Sequence, residues 1–416
     1  MQTKPDSQGR QSGTLPSILV FIGIVVVLLV IALLNAPTMG GPRVMSSVQN
    51  YFKEVQATAI PFLIGVGVLA AILAFFVARE TRRVWPNQQK RNEFLTGYLF
   101  LTPYLLVTLV FTIGVILFAF YISFTNYDIF TRPTFAGLAN YAKAFQGFTD
   151  STQRDFLQSL YNVFWYSLLV VPIQTGLAIL LAVLLNTPIR LRQLFRTIFY
   201  APSVTSSVVI TLIFIWFYLK GGYANYILQT VLGWIGVNFQ GVDWLGDPRG
   251  LIQLILTPFG VNIPSSQWYF RGPSIAWMAI MVQNIFTTVP TFMIIFLAAL
   301  QDINPVLYEA ARIDGAGSWQ VFRNITLPLL RPITLLVVVL GTIGTLQVFD
   351  QVYLATRGGP LNTSLTPVFL IFQEALGVNG PINMGYATAL AFILAIIIFV
   401  LTFIQRRFIE RGTEQY

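Results

Sequence analysis

Eight stretches of the chain are continuously apolar over helix-spanning lengths, and the polar residues gather between them rather than alternating within them. They run roughly over residues 16–34, 57–78, 95–123, 159–186, 197–219, 274–300, 330–349 and 382–404. About 20 apolar residues cross the hydrocarbon core of a bilayer as a helix, so each stretch predicts a membrane span. Apart from Arg331 at the margin of the seventh, none contains Asp, Glu, Lys or Arg. A charge at the bilayer centre costs at least about 2.5–3.5 kcal/mol, so this exclusion is what lipid-embedded helices require. The third stretch is long enough to begin with an interfacial segment near Pro103. The expected fold is all-α: a polytopic transmembrane bundle of about eight spans.

The charges between the spans orient it. Lys4 and Arg10 precede the first span; Arg79, Arg82, Arg83, Lys90 and Arg91 separate the second and third; Arg190, Arg192 and Arg196 separate the fourth and fifth. Arg312, Arg323 and Arg331 follow the sixth, and Arg406, Arg407 and Arg411 follow the eighth. These sixteen of the 25 basic residues all fall on one side if the N-terminus is inside. Basic residues collect on cytoplasmic loops, so both termini are expected in the cytoplasm. The net charge of +9 is thereby explained without nucleic acid.

Composition agrees. Of 416 residues, 55% are hydrophobic and 10% charged, against about 25% charged in a soluble domain. Cysteine and histidine are absent, which excludes disulfides, thiolate nucleophiles, Cys/His zinc sites and imidazole chemistry. No catalytic residue, metal site or bound cofactor is expected. Lys4 and Arg10 resemble the start of a signal peptide, but the run from Pro16 to Leu34 is long for one, and a retained helix is expected. The organisation expected is a disordered cytoplasmic N-terminus (1–15), two N-terminal helices with a basic loop (16–94), a six-helix core (95–405) and a short cytoplasmic tail (406–416). The outward loops are 35–56, 124–158 and 220–273, the last with short helices near Tyr226–Leu232 and Leu251–Leu256 that are expected to lie in the interface.

One cytoplasmic segment, 301–328, is neither lipid-facing nor an ordinary loop. Asn304 is a good N-cap and Pro305 suits the first helical position. Val306, Leu307, Ala310 and Ala311 recur at helical spacing, Gly315 fits a left-handed C-terminal cap, and Ser318 is expected to cap a second short helix running into Ile325. The product is a helix–turn–helix knob. Ala310 and Ala311 would let another backbone come close, with Glu309, Arg312 and Asp314 making polar contacts around them. The bland reading is a well-capped connector.

Glu309-Ala310-Ala311, Gly315, Ile325 and Leu327-Pro328, at these spacings and between these spans, resemble the EAA loop of binding-protein-dependent ABC importer permeases. Gly358-Gly359-Pro360 with Phe349 and Asp350 upstream, and Trp244-Leu245-Gly246-Asp247-Pro248, are similar to patterns of the carbohydrate-type permeases, and the eight-span layout resembles the larger subunit of maltose-type importers. The resemblance covers roughly residues 95–405. It implies an ABC type I importer permease fold and an ATPase-coupling loop made of Glu309, Ala310, Ala311, Asp314, Gly315, Ile325, Leu327 and Pro328. It also implies a second homologous permease subunit, two ATPase subunits that use ATP and magnesium, an extracytoplasmic solute-binding protein and a sugar substrate, in the inner or plasma membrane of a bacterium or archaeon. The stretch 249–272 is extra to the family pattern, and the loop 124–158 is short for a maltose-type subunit.

The chain has no Gly-x-x-x-x-Gly-Lys-[Ser/Thr] sequence, and its spans lack the ionisable groups that ion-coupled transporters use. Transport by this protein therefore needs an external motor. A secondary transporter is disfavoured by the missing intramembrane charges. A membrane-embedded transferase or hydrolase is disfavoured because Asp243, Asp247 and Glu374 show no supporting spacing. Uncharged polar residues remain as solute contacts. By resemblance Asn284, Thr288, Thr291, Gly341, Thr345 and Gln347 fall near the mid-membrane sugar pocket, although Thr, Ser and Gly are also ordinary packing residues between membrane helices. Asp350 could meet solute or the binding protein, or cap a helix. The absence of basic residues in the spans places a glycerol-3-phosphate-like solute second to a neutral sugar.

Overall fold

The computed structural model describes residues 88–148, 154–187, 190–261, 263–264, 269–378 and 380–410. The first two expected spans, the N-terminal segment and residues 411–416 lie outside them. The chain divides into two compact units, Met1–Leu106 and Val107–Tyr416. Helix α1 (Gln88–Val107) supplies the described part of the first.

In the second unit a π-helical segment (Thr108–Gly114) and α2 (Val115–Ser123) cover the remainder of the third expected span. A two-stranded antiparallel pair (β1, Thr125–Asn126; β2, Thr134–Phe135) and the short α3 (Ala139–Phe145) follow. Among the described residues, four helical spans are long and apolar enough to cross a membrane: α4 (Asp155–Asn186), α9 (Ile275–Asp302), α13 (Arg331–Leu346) with its continuation α14 (Asp350–Ala355), and α16 (Met384–Glu410). Each matches an expected span to within a few residues. Their outward faces are aliphatic and aromatic, as at Leu180 on α4 and Phe399 on α16, which are 64% and 69% exposed. Such faces belong against lipid.

The fifth expected span is not a plain helix. It is α5 (Arg192–Val204) and α6 (Ser207–Phe217), bent by 94° between them. Pro202 lies in the last turn of α5, and Thr205 is extended (ψ 142°), so the helical ladder stops and restarts. The large outward loop carries α7 (Tyr223–Trp234) and α8 (Leu251–Leu256), where helices were expected. Arg192 and Arg196 both donate to the carbonyl of Leu185 in the last turn of α4, where a helix end favours positive charge.

Two clusters hold the bundle together. One joins Tyr166 and Val170 of α4 with Trp277 and Ile280 of α9, and Phe369 with Leu390 of α15 (Pro367–Leu376) and α16. The other joins Ala178, Ala182 and Leu185 to Phe292, Met293, Phe296, Leu300, Leu330 and Val337. Small residues of α4 let the backbones approach closely where water offers no driving force. Buried amides fix register over long sequence distances: Asn162 donates to the carbonyls of Asn362 (2.9 Å) and Leu365 (2.8 Å), and the Trp277 indole donates to the Asn162 carbonyl (2.8 Å).

Candidate functional site

The knob expected over 301–328 forms much as its residues dictate. Asn304 Oδ1 accepts from the Val306 N–H at 3.0 Å, Pro305 opens α10 (Pro305–Ile313), and Gly315 sits at φ +74°. Gly315 N–H donates to Arg312 O (3.1 Å) and Ala316 N–H to Ala311 O (2.9 Å), the paired bonds of a Schellman ending. The second arm differs from expectation. Ser318 is the first helical residue of α11 (Ser318–Val321), not its cap; Gly317 is the cap, and its N–H is held by Gln320 Oε1 at 2.8 Å. After one turn the chain widens into a π-helical segment, Phe322–Thr326, and then enters α12 (Leu327–Leu329). Tyr308 Oη and Thr326 Oγ1 lie 3.3 Å apart and tie the two arms.

Glu309, Ala310, Asp314, Gly315 and Leu327 are exposed, Ile325 and Pro328 are half-buried, and Ala311 is buried within the chain. Only Ala310 of the alanine pair faces outward. Ile313 (86% exposed) and Trp319 (69%) flank it, an apolar surface that the reading of charges and alanines passed over. An isoleucine directly before a helix C-cap, and a tryptophan directly after a helix start, were the available signals. Burying such a side chain is worth about 1.5–3 kcal/mol.

The polar positions in the spans separate into two groups. Thr291 and Gln347 are exposed, and Asn284 and Thr288 are half-buried, with Thr288 Oγ1 donating to Asn284 Oδ1 at 3.4 Å. Gly341 and Thr345 are buried. Thr345 Oγ1 donates to its own helix at Thr342 O (2.9 Å), and Thr342 Oγ1 accepts from Gln405 Nε2 (2.8 Å). A Cβ at Gly341 would lie 2.5 Å from Gln174 Nε2, so glycine there admits a buried amide from α4. Both amide atoms of Gln174 are without a hydrogen bond. Gln283 is used structurally, donating to Thr211 Oγ1 at 2.6 Å and binding α9 to α6.

On the outward side Asn225 organises the tryptophan motif. Its Nδ2 donates to the carbonyls of Lys220 and Val242, and its Oδ1 accepts from the Val242 N–H and the Trp244 indole. Asp247 takes a bidentate grip on Arg249 with a shortest contact of 2.6 Å. The Asp247 carbonyl accepts from Ala276 N–H, and Gly250 bridges to Ser274, so the extra stretch is closed at its base on the start of α9. Partial burial raises the Asp247 carboxyl, but the guanidinium and backbone N–H of Arg249 together outweigh it and hold the group below its ordinary value. Asp350, the first residue of α14, is exposed. No group of metal-binding side chains occurs among the described residues.

Residues 174–413 match the family described as the binding-protein-dependent transport system inner membrane component. The chain is 32% identical over 316 residues to the probable ABC transporter permease protein YesP of Bacillus subtilis (strain 168), covering 76% of this chain and 90% of that protein. It is 34% identical to the lactose transport system permease protein LacF of Rhizobium radiobacter, over 60% of this chain and 74% of LacF. It is 31% identical to the arabinooligosaccharides transport system permease protein AraP of Halalkalibacterium halodurans, over 66% of this chain and 75% of AraP. A chain of a bacterial ABC transporter involved in import of the acidic polysaccharide alginate has the same fold, with a TM-score of 0.59 and 24% identity, over 79% of this chain and 99% of that one. With a capped knob between its apolar helices, and a match running over most of its second unit, this chain belongs to the binding-protein-dependent transport system inner membrane components, the permeases of ABC transporters.

Proposed function

We propose that this chain is the permease subunit of a sugar importer in a bacterial or archaeal plasma membrane, and that it moves solute delivered by an extracytoplasmic binding protein. ATP and magnesium are used by two separate ATPase subunits, and a second, homologous permease completes the pathway. The observation that carries the coupling role is the Schellman-closed knob, with Glu309, Ala310, Asp314 and Gly315 displayed beside exposed Ile313 and Trp319. An apolar, well-capped projection of this kind fits a groove on a partner, and the relatives' sugar names support the substrate class.

The solute path runs along α9 and α13 at Asn284, Thr288, Thr291 and Gln347, with Gly341 and Thr345 setting the packing behind it. Amide and hydroxyl groups suit sugar hydroxyls. ATP binding would close the ATPase pair, draw the inner ends of the bundle together through the knob, and open the path outward. Purification in mild detergent should recover an ATPase and a second permease with this chain. Vesicles holding that assembly should take up sugar only with ATP and the binding protein. Uptake by the chain alone would refute the reading.

A further inference from the structure

Gln174, near the middle of α4, is 1% exposed, and neither atom of its amide has a hydrogen bond. The other buried amides among the described residues, Asn140, Asn162, Asn225 and Gln283, are all bonded. An unmade buried bond costs more than a made one returns, so Gln174 disfavours this arrangement of the helices. A missing side chain holds it there. A Cβ at Gly341 would lie 2.5 Å from Gln174 Nε2 and 3.5 Å from the Phe292 ring, so the amide fills the notch that glycine leaves in α13.

The two sides of that notch are unequal. One turn toward Arg331, on the same face of α13, stands Val337, fully buried and apolar. One turn toward Gln347 stands Thr345, 2% exposed, whose hydroxyl donates to Thr342 O at 2.9 Å and keeps its acceptor capacity. Thr342, the nearer hydroxyl, already accepts from Gln405 Nε2. Gly344 lies between the notch and Thr345, and a Cβ there would meet nothing within 4 Å, so the backbone has open space beside it. The gap is one turn, about 5.4 Å, which a new glutamine rotamer and a bend at Gly341–Gly344 can close.

We propose that Gln174 is a two-position latch between α4 and α13: parked without a bond at Gly341 in this conformer, and donating to Thr345 Oγ1 in the alternate conformer of the transport cycle. This rests on the importer reading, which requires two conformers, and adds a contact that biases them. One such bond shifts their balance about fivefold toward the alternate conformer. Packed cores change between discrete arrangements rather than deforming smoothly, and a notch beside a hydroxyl supplies two such arrangements for one side chain.

The test uses the complete transporter in proteoliposomes, held without nucleotide or trapped with ATP and vanadate. The chain has no cysteine, so a short bifunctional thiol reagent joins α4 to α13 only at introduced pairs. With Gln174→Cys, which empties the notch, Gly341→Cys is expected to be joined in one condition and Thr345→Cys in the other, each at least about fivefold above the opposite condition. Any other pattern, from pairs that assemble with their partner subunits, would overturn the latch. A second measurement needs no cysteine. Gln174→Leu and Thr345→Val keep side-chain shape and remove the two polar groups. Each should change the ATP concentration for half-maximal vanadate trapping about fivefold in the same direction, and the double variant no further. Thr345→Ser keeps the hydroxyl and should stay with wild type. Additive changes, or none, would show that the two groups never meet and would overturn the proposal. A wild-type assembly that traps no nucleotide would instead count against the importer reading itself.

Discussion

The sharpest prediction concerns Gly315. It holds φ +74°, and a Cβ placed there would meet nothing within 4 Å. Side-chain size is therefore irrelevant; what a substitution costs is the left-handed backbone, about 1–2 kcal/mol for an ordinary L-residue, less for Asn and more for a β-branched one. That range is a factor of roughly 5–30 in the fraction of knobs correctly turned, the turn itself being closed by the two Schellman bonds, Gly315 to Arg312 and Ala316 to Ala311. In the reconstituted transporter, sugar imported per ATP should fall in the order Gly, Asn, Ala, Val. Gly315→Asp has the shape of Asn, so its extra loss over Gly315→Asn reports the added charge beside Asp314 alone. Equal losses for Asn, Ala and Val, or full coupling in Gly315→Val, would refute the backbone account of the knob.

Two further outcomes follow from packing and charge. Gly341→Ala should lower the melting temperature of the purified protein in detergent, since its Cβ would sit 2.5 Å from Gln174 Nε2 and overpacking costs about 1–3 kcal/mol; Gln174→Ala should rescue it, and strictly additive losses would contradict the close approach. Asp247, held below its ordinary 3.8 by Arg249, contributes stability that is complete above that value and is lost as pH falls through the lower folded value. Arg249→Gln should therefore move the acid transition of Trp244 fluorescence to higher pH, and an unmoved transition would show that the pair does not hold this turn.

The apolar runs made the long helices legible, because a bilayer imposes their length and composition directly. The knob was equally readable at Asn304, Pro305 and Gly315, where one residue type satisfies a local backbone requirement. The 94° bend between α5 and α6 was not: a hydropathy run carries no direction, although Pro202 followed by Ser203, Thr205 and Ser206 was a signal for a break. Nor could the sequence tell Thr345, which turns inward, from Thr291, which is exposed. A membrane helix has no hydrophilic face to mark its outside, so its polar residues do not reveal which way they point. The amides were legible as buried groups in need of partners, but those of Asn162 lie some 200 residues away in the chain.

On the coupling role proposed above, the seating of the knob gives a push on it a route to the proposed solute path. From Trp319 to Leu340 there is no glycine, and the short joint between α12 and α13 is Leu330, which is fully buried. Leu330 packs in the same cluster as Phe296 and Leu300 of α9 and Ala182 and Leu185 of α4, with Ile303 and Phe322 of the knob's two bases against it. At the other arm only Ile303 and Asn304 separate α9 from α10. The knob is thus seated on a packed body that includes the inner parts of three helices, and well-packed interiors transmit displacement rather than absorb it. The first relief along α13 comes at Gly341 and Gly344, and the helix breaks at Gln347–Phe349. On the coupling role proposed above, α13, packed below and jointed above, would turn a movement of the knob into a change of spacing at the proposed solute positions.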